Sequence, residues 1–79
     1  MATFSEEYVQ PDDGSESLIG VDSNAGNIMG FVARTLQRAG NPASVKTEYY
    51  QLAMSGDYDH LIAVSMAYLD GDAGMLERL

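Results

Sequence analysis

A group of polar side chains, "SGDYDH" at positions 55–60, holds the only histidine of this sequence. A helix that begins here presents unpaired N–H groups and the positive end of its dipole, and such an end binds phosphate or carboxylate. Tyr58 would then stack on a base and His60 would donate to the anion. The same residues also fit an ordinary helix start, with Asp57 as the N-cap and His60 as a first-turn residue. Both interpretations remain open at this point.

The same region does not predict a metal site. Asp57, Asp59 and His60 are near neighbours on a helix turn, so their side chains point apart. The run "DGDAG" at 70–74 resembles the start of a calcium loop, but it lacks the later ligands and the closing glutamate. The chain has no cysteine and therefore no thiolate ligand. We expect neither a metal nor a cofactor.

A second polar group lies within "GNIMGFVARTLQRAG" at positions 26–40. At 100° per residue, Asn27, Gly30, Arg34 and Arg38 share one stripe of a helix. Two arginines one turn apart can make forked contacts to phosphate, and a glycine lets a ligand approach the backbone closely. Alternatively, Gly30 is a helix-packing contact and the arginines pair with surplus carboxylates on a solvated surface.

Catalysis requires groups that this sequence does not offer. There is no cysteine nucleophile, no glycine-rich phosphate loop with a lysine, and no paired-histidine motif. His60 would be a lone general base, and the serines have no evident partner. We therefore expect a protein that binds without catalysing a reaction.

Repeated capping patterns predict three helices that position these residues. The first follows one of three N-cap candidates, Asp22, Ser23 or Asn24, and stops at Gly40. The second has Asn41 as its cap and Pro42 at its first position, and Gly56 stops it. The third begins after Asp57 and ends near 70–71.

The apolar spacing predicts how these helices pack. The first two helices carry one stripe each, whereas the apolar residues of the third surround its axis. The third helix is therefore expected to be central. The three sets are Ile28, Phe31, Val32, Leu36 and Ala39; Val45, Tyr49, Leu52 and Ala53; and Leu61, Ile62, Val64, Met66, Tyr68 and Leu69.

The fold class that follows is mainly α: a compact three-helix domain at residues 17–79, with an extended acidic N-terminal arm at residues 1–16. "SLIGVD" at 17–22 is a candidate for one short strand. A 79-residue chain without disulfides has a small core, so a homo-oligomer is expected. Apolar residues near both ends are expected to be buried against another subunit: Phe4, Tyr8, Met75, Leu76 and Leu79.

Twelve acidic residues against four basic ones give a net charge of −8. This charge argues against direct binding of nucleic acid or an anionic membrane, and it favours a cationic protein partner. A nucleic-acid mimic would present its carboxylates on one exposed face: Glu6, Glu7, Asp12, Asp13, Asp70 and Asp72. The first ten residues lack the pattern of a signal peptide, and no apolar run has transmembrane length, so we expect a cytoplasmic protein.

Two motifs carry a resemblance to a set of small phage and bacterial proteins. In that set, a helix with a sequence similar to G-N-x-x-x-x-G-x-V-x-R-x-L-x-x-A-G precedes a helix whose start is similar to G-D-Y-D-H-L. The looser match here runs through Gly26, Asn27, Ile28, Gly30, Val32, Leu36, Ala39 and Gly40, and the tighter match is Gly56–Leu61. The resemblance covers about residues 18–70 and implies a fold and a phage-like origin, but no activity.

Together these features predict a non-catalytic binding protein of a phage or mobile element, located in the bacterial host cytosol. Its leading form sequesters a small anionic nucleotide immune signal, with Arg34 and Arg38 on phosphate and Asn27, Tyr58 and His60 on base or sugar. The alternative is an acidic, nucleic-acid-mimicking inhibitor of a host defence or DNA-handling protein.

Overall fold

The computed structural model describes residues 3–11 and 24–79. In these residues it contains four α-helices and no strand: α1 (Ala25–Arg38), α2 (Ala43–Ala53), α3 (Tyr58–Asp70) and α4 (Ala73–Glu77). Helix α3 packs against each of the other three, which confirms the mainly α fold and the central third helix. The tail adds a short fourth helix. The candidate strand at 17–22 and the proposed boundary between residues 16 and 17 lie outside the described residues.

Helix α1 begins and ends as its sequence predicts. The side chain of Asn24 accepts a hydrogen bond from the Gly26 N–H at 2.8 Å. At the other end, Gly40 has φ of 101°, a left-handed conformation that needs no Cβ. The Asn41 N–H then reaches back to the Leu36 carbonyl at 3.0 Å, which closes the helix end. Asp22 and Ser23, the other cap candidates, lie outside the described part of the chain.

Helix α2 differs from the prediction at both ends. Its N-cap residue is Pro42, and no side chain caps it. The prediction of Asn41 as the cap is wrong, because its side chain is buried and bonds elsewhere. The helix ends at Ala53 with Met54 as its C-cap, so Gly56 does not stop it.

One continuous core joins the helices. The apolar stripes of α1 and α2 meet the buried sides of α3, and Leu76 of α4 is fully buried against them. Met66 is 42% exposed and is the main departure from the predicted all-round burial of α3. The core residues are Ile28, Val32, Leu36, Val45, Tyr49, Ala53, Leu61, Val64, Ala67, Tyr68, Leu69 and Leu76.

The arm, residues 3–11, packs on this core without regular secondary structure. Phe4 and Tyr8 stack on each other with ring centroids 4.1 Å apart, and both meet Tyr68 edge-on. Met75 likewise packs against the core of its own chain. In this structure these residues pack on their own chain, because α2 and α3 leave an aromatic surface that the arm covers. Their burial against another subunit, and the homo-oligomer itself, stay predictions. Only Leu79 of that set stays exposed, at 41%.

Over residues 3–11 and 24–79, no helix combines the length and apolar character that a membrane crossing requires.

Candidate functional site

The start of α3 is a capped helix end. The Asp57 carboxylate accepts a hydrogen bond from the His60 N–H at 2.9 Å, and Asp59 lies in the first turn. An aspartate at the N-cap, such as Asp57, satisfies one of the helix's unpaired N–H groups, and its charge complements the helix dipole. The prediction of Asp57 as N-cap is thus confirmed.

The ring of His60 caps the preceding helix. Its Nε2 lies 2.8 Å from the carbonyl oxygen of Leu52, in the last turn of α2. A carbonyl can only accept, so Nε2 carries the proton. The Ser55 hydroxyl donates to the same carbonyl at 2.7 Å. The backbone N–H of Ser55 also reaches this carbonyl, at 3.2 Å. The last carbonyls of a helix lack partners within it, and here the His60 ring and Ser55 together satisfy one of them.

Gly56 makes room for this ring. A Cβ at Gly56 would lie 2.7 Å from Cγ of His60, closer than side chains pack. The backbone of Gly56 is not left-handed, so close approach rather than conformation explains the glycine. The motif G-D-Y-D-H therefore works as one structural unit that joins the end of α2 to the start of α3.

Helix α1 presents the other predicted residues on its outer face. Asn27, Arg34 and Arg38 are exposed and Gly30 is half-buried. From Asn27 to Arg38 the face extends about 16 Å along the helix, at 1.5 Å per residue. Arg38 also lies against its own helix, where its Nη2 is 3.5 Å from the Thr35 hydroxyl.

Gly30 and Arg34 form the most informative pair on this face. Among the described residues, a Cβ built at Gly30 would meet only Nη1 of Arg34 within 4 Å, at an ordinary contact distance of 3.5 Å. These neighbours leave room for an alanine, so none of them requires a glycine at this position. A glycine inside a helix costs about 0.5–1 kcal/mol relative to alanine, and packing against the described residues does not account for it.

The structure does not gather all six predicted residues into one site. Asn27, Gly30, Arg34 and Arg38 share a face of α1, as predicted. His60 is directed at the end of α2 rather than at this face. Tyr58 is 45% exposed at the first position of α3. Across the described residues, no three histidine, aspartate or glutamate side chains come close enough together to hold a metal ion.

The predicted sites do not include the polar residues that hold the arm. The Asn41 amide accepts from the Val9 N–H at 2.7 Å and donates to the Val9 carbonyl at 2.8 Å. It also donates to the Leu36 carbonyl at 2.9 Å. This side chain therefore clamps the arm backbone to the end of α1. Its only signal in the sequence, an asparagine before a proline, favoured a cap instead.

A tyrosine–carboxylate group holds the arm beside α2 and α3. The Tyr68 hydroxyl donates to Glu48 at 2.5 Å, and the Tyr8 hydroxyl donates to the Tyr68 carbonyl at 2.6 Å. The Ser5 N–H points at the same Glu48 oxygen from 3.4 Å. Farther along the arm, the Gln10 amide donates to the Asp70 carbonyl at 3.0 Å. We term the surface formed by Asn41, Glu48, Tyr68 and Asp70 the arm site.

Burial changes the acidity of the tyrosines in this region. It raises the pKa of Tyr8 to about 12, and the charge of Asp70 adds to the effect. It raises the pKa of Tyr49 to about 12, although a hydrogen bond with Ser65 opposes the shift. The pKa of Tyr68 is also raised, mainly by burial and secondly by the hydrogen bond from its hydroxyl to Glu48. All three hydroxyls therefore stay neutral to a higher pH than an exposed tyrosine does.

Arm docking brings acidic side chains to one end of the helices. The Ser44 hydroxyl donates to Glu7 at 3.1 Å near the start of α2, and Gln10 holds the arm at the end of α3. Glu6, Glu7, Asp70 and Asp72 are all exposed there. Asp12 and Asp13, predicted to share this face, lie outside the described residues.

No protein-family model, curated protein or solved structure matches this chain. The resemblance to small phage and bacterial proteins therefore stays a prediction from the two motifs.

Proposed function

We propose that this protein binds a small anionic ligand, without catalysis, on the outer face of α1, and that the ligand is a nucleotide immune signal sequestered on behalf of a phage or mobile element. One observation carries the proposal. Among the described residues, no packing contact requires a glycine at Gly30 in the middle of α1, and the guanidinium of Arg34 lies over it. A ligand that approaches the helix backbone supplies a reason for both residues.

The charges of α1 support an anionic ligand. Within the described residues Arg34 makes no ion pair with a carboxylate, although the chain holds twelve acidic residues. Its planar guanidinium can contact phosphate through two N–H groups, and Arg38 adds a second donor one turn further on. The exposed amide of Asn27 both donates and accepts, which suits the edge of a base. In this proposal His60 has a structural role, and Tyr58 stays a candidate for stacking.

Calorimetric titration of a panel of linear and cyclic nucleotides tests this proposal. Wild type is compared with Arg34→Ala/Arg38→Ala and with Lys46→Ala/Arg78→Ala, which changes the net charge equally away from the face. Charge-assisted bonds of about 1.5–3 kcal/mol each predict a loss of about two to four powers of ten in affinity for the first variant only. Binding of no nucleotide by wild type, or equal losses in both variants, would count against the proposal.

Gly30→Ala makes the test sharper. The added methyl should raise the unfolding free energy by about 0.5–1 kcal/mol, because the helix gains a better former. The same methyl should weaken ligand binding about tenfold or more if the ligand lies on the backbone there. A variant that is more stable and binds as well as wild type would remove Gly30 from the site.

A second function is favoured by the docked arm. The arm places Glu6 and Glu7 at the same end of the helices as Asp70 and Asp72. This acidic end suits a cationic protein surface that normally contacts nucleic acid. Competition between the protein and duplex DNA for purified DNA-binding proteins tests this form. Glu6→Gln/Asp70→Asn should abolish competition, and Asp59→Asn/Glu77→Gln should retain it. Competition by none of the three proteins, or by all equally, would reject it.

A further inference from the structure

We propose that the arm site accepts the arm of a second copy of this chain, so that two copies form a dimer by exchanging arms. This inference does not depend on the proposed function. It concerns residues 3–11 and the four residues of the arm site, all of which are described. The occupant is specified by the structure itself, because the site already holds this segment.

The arm is held by the site and not by structure of its own. It has no helix or strand, and its one internal backbone hydrogen bond, from the Tyr8 N–H to the Ser5 carbonyl, forms a single turn. Apart from the stack of Phe4 on Tyr8, the arm is held by contacts with the helices, and its hydrogen bonds reach residues 32 to 60 positions away in sequence. Each of these contacts can form identically with the arm of another copy, since none requires that arm and site belong to one chain.

The covalent connection permits the exchange. Residues 12–23 join the arm to α1, and a segment of this length spans at most about 45 Å between Pro11 and Asn24 when extended. The longest dimension of the folded chain is 28 Å. An arm can therefore reach the arm site of a neighbouring copy in contact with its own.

Concentration decides between the two arrangements. Own-arm docking and exchange have the same contacts, so the balance depends on the effective concentration of the tethered arm, which is about millimolar for a short tether. Dimers should therefore be rare at micromolar protein and abundant near millimolar protein. Elements exchanged in this way are a known low-cost route to symmetric dimers.

Cysteine trapping tests the exchange directly, because the chain has no cysteine of its own. Glu7 of the arm and Ser44 of α2 are in contact, with the Ser44 hydroxyl oxygen 3.1 Å from a carboxylate oxygen of Glu7. Full-length Glu7→Cys and Ser44→Cys are unfolded together, refolded at about millimolar concentration and oxidised mildly. Exchange predicts a disulfide-linked heterodimer. The control is a mixture of Glu7→Cys and Glu77→Cys, in which the two thiols meet only by collision. The yield of heterodimer should be at least about tenfold higher than in this control.

Two further measurements complete the test. Wild type examined by light scattering should shift from monomer to dimer as its concentration rises to about millimolar. The double variant Glu7→Cys/Ser44→Cys, oxidised at low concentration, should lock its arm in its own site and remain monomeric throughout. A wild type that is monomeric at millimolar concentration, or a heterodimer yield equal to the collision control, would overturn the proposal.

Discussion

The start of α3 and the arm site are both rich in polar side chains, but they connect the chain over different distances. At the start of α3, Asp57 bonds a residue three positions away and His60 bonds one eight positions away. At the arm site, Asn41 and Val9 are 32 positions apart, and Tyr8 and Tyr68 are 60 apart. The conspicuous motif is thus local, and the residues that hold distant segments together are inconspicuous in sequence.

This difference predicts that disruption of the arm site costs more than disruption of the motif. A capped turn contributes to one helix end, whereas the arm site joins the arm, α1, α2 and α3 into one unit. Denaturation of matched variants measures the two regions on the same scale.

The largest effect is expected at Tyr68. Tyr68→Ala removes a fully buried ring that meets Phe4, Tyr8 and Tyr49, so the unfolding free energy should fall by about 3–5 kcal/mol. Urea denaturation followed by circular dichroism measures this loss. Tyr68→Phe, which removes only the hydroxyl bonded to Glu48, is the matched control and should lose about 1–2 kcal/mol. Equal losses would show that the hydroxyl and not the ring matters.

Asn41→Ala should follow. It removes three hydrogen bonds, two of them to the arm, at about 1 kcal/mol each. Hydrogen exchange should show the Val9 amide losing protection while the amides of α3 keep theirs. If the Val9 amide stays protected, Asn41 does not hold the arm.

Alkaline pH should weaken the arm site and leave the motif intact. The pKa values of Tyr8 and Tyr49 are raised from 10 to about 12, so the neutral hydroxyls are favoured in the folded protein. Their contribution is complete below pH 10 and is lost as the pH rises towards 12. We expect the unfolding free energy to fall by about 1–3 kcal/mol between pH 9 and 11, as measured by urea denaturation. Tyr8→Phe should flatten the slope, and an unchanged free energy over this range would contradict the assignment.

Asp57→Ala tests the other side of the comparison and should have the smallest effect, a loss of about 0.5–2 kcal/mol typical of an N-cap. Gly56→Ala should have a similar cost, because its methyl must displace the His60 ring from the Leu52 carbonyl. Melting temperatures measured by circular dichroism compare both with Asp59→Asn. A loss at Asp57 as large as that at Tyr68 would show that the motif supports more than its own helix end.

Much of the fold was predictable because its signals are local. Asn24 and Asp57 cap, and Gly40 and Gly71 end their helices with left-handed backbones, since each interaction lies within one or two turns of chain. The apolar spacing of α1 and α2 likewise identified most of the buried residues of these two helices. Of the candidate site, the common face of Asn27, Gly30, Arg34 and Arg38 follows from helix geometry alone.

The same local rules gave wrong predictions where a residue distant in sequence provides more hydrogen bonds or tighter packing than the local partner. Asn41 stands before Pro42 in the position of an N-cap, yet its amide satisfies the Val9 backbone and the Leu36 carbonyl together. Buried polar groups need full hydrogen bonding, and three bonds outweigh a single cap. Gly56 likewise reads as a helix stop, but only the folded position of His60 shows that its role is to leave space.

Local sequence is sufficient to locate the starts of α1 and α3, the apolar sides of α1 and α2 and the residues on the outer face of α1. These features depend on caps and periodicities within a few residues, so folding does not change them. The packed structure is needed to show that Phe4 and Tyr8 cover their own chain, that Glu48 binds Tyr68 and that His60 caps α2. These contacts depend on which surfaces meet when α2 and α3 pack, and the helix periodicities and caps that can be read from the sequence do not contain that information.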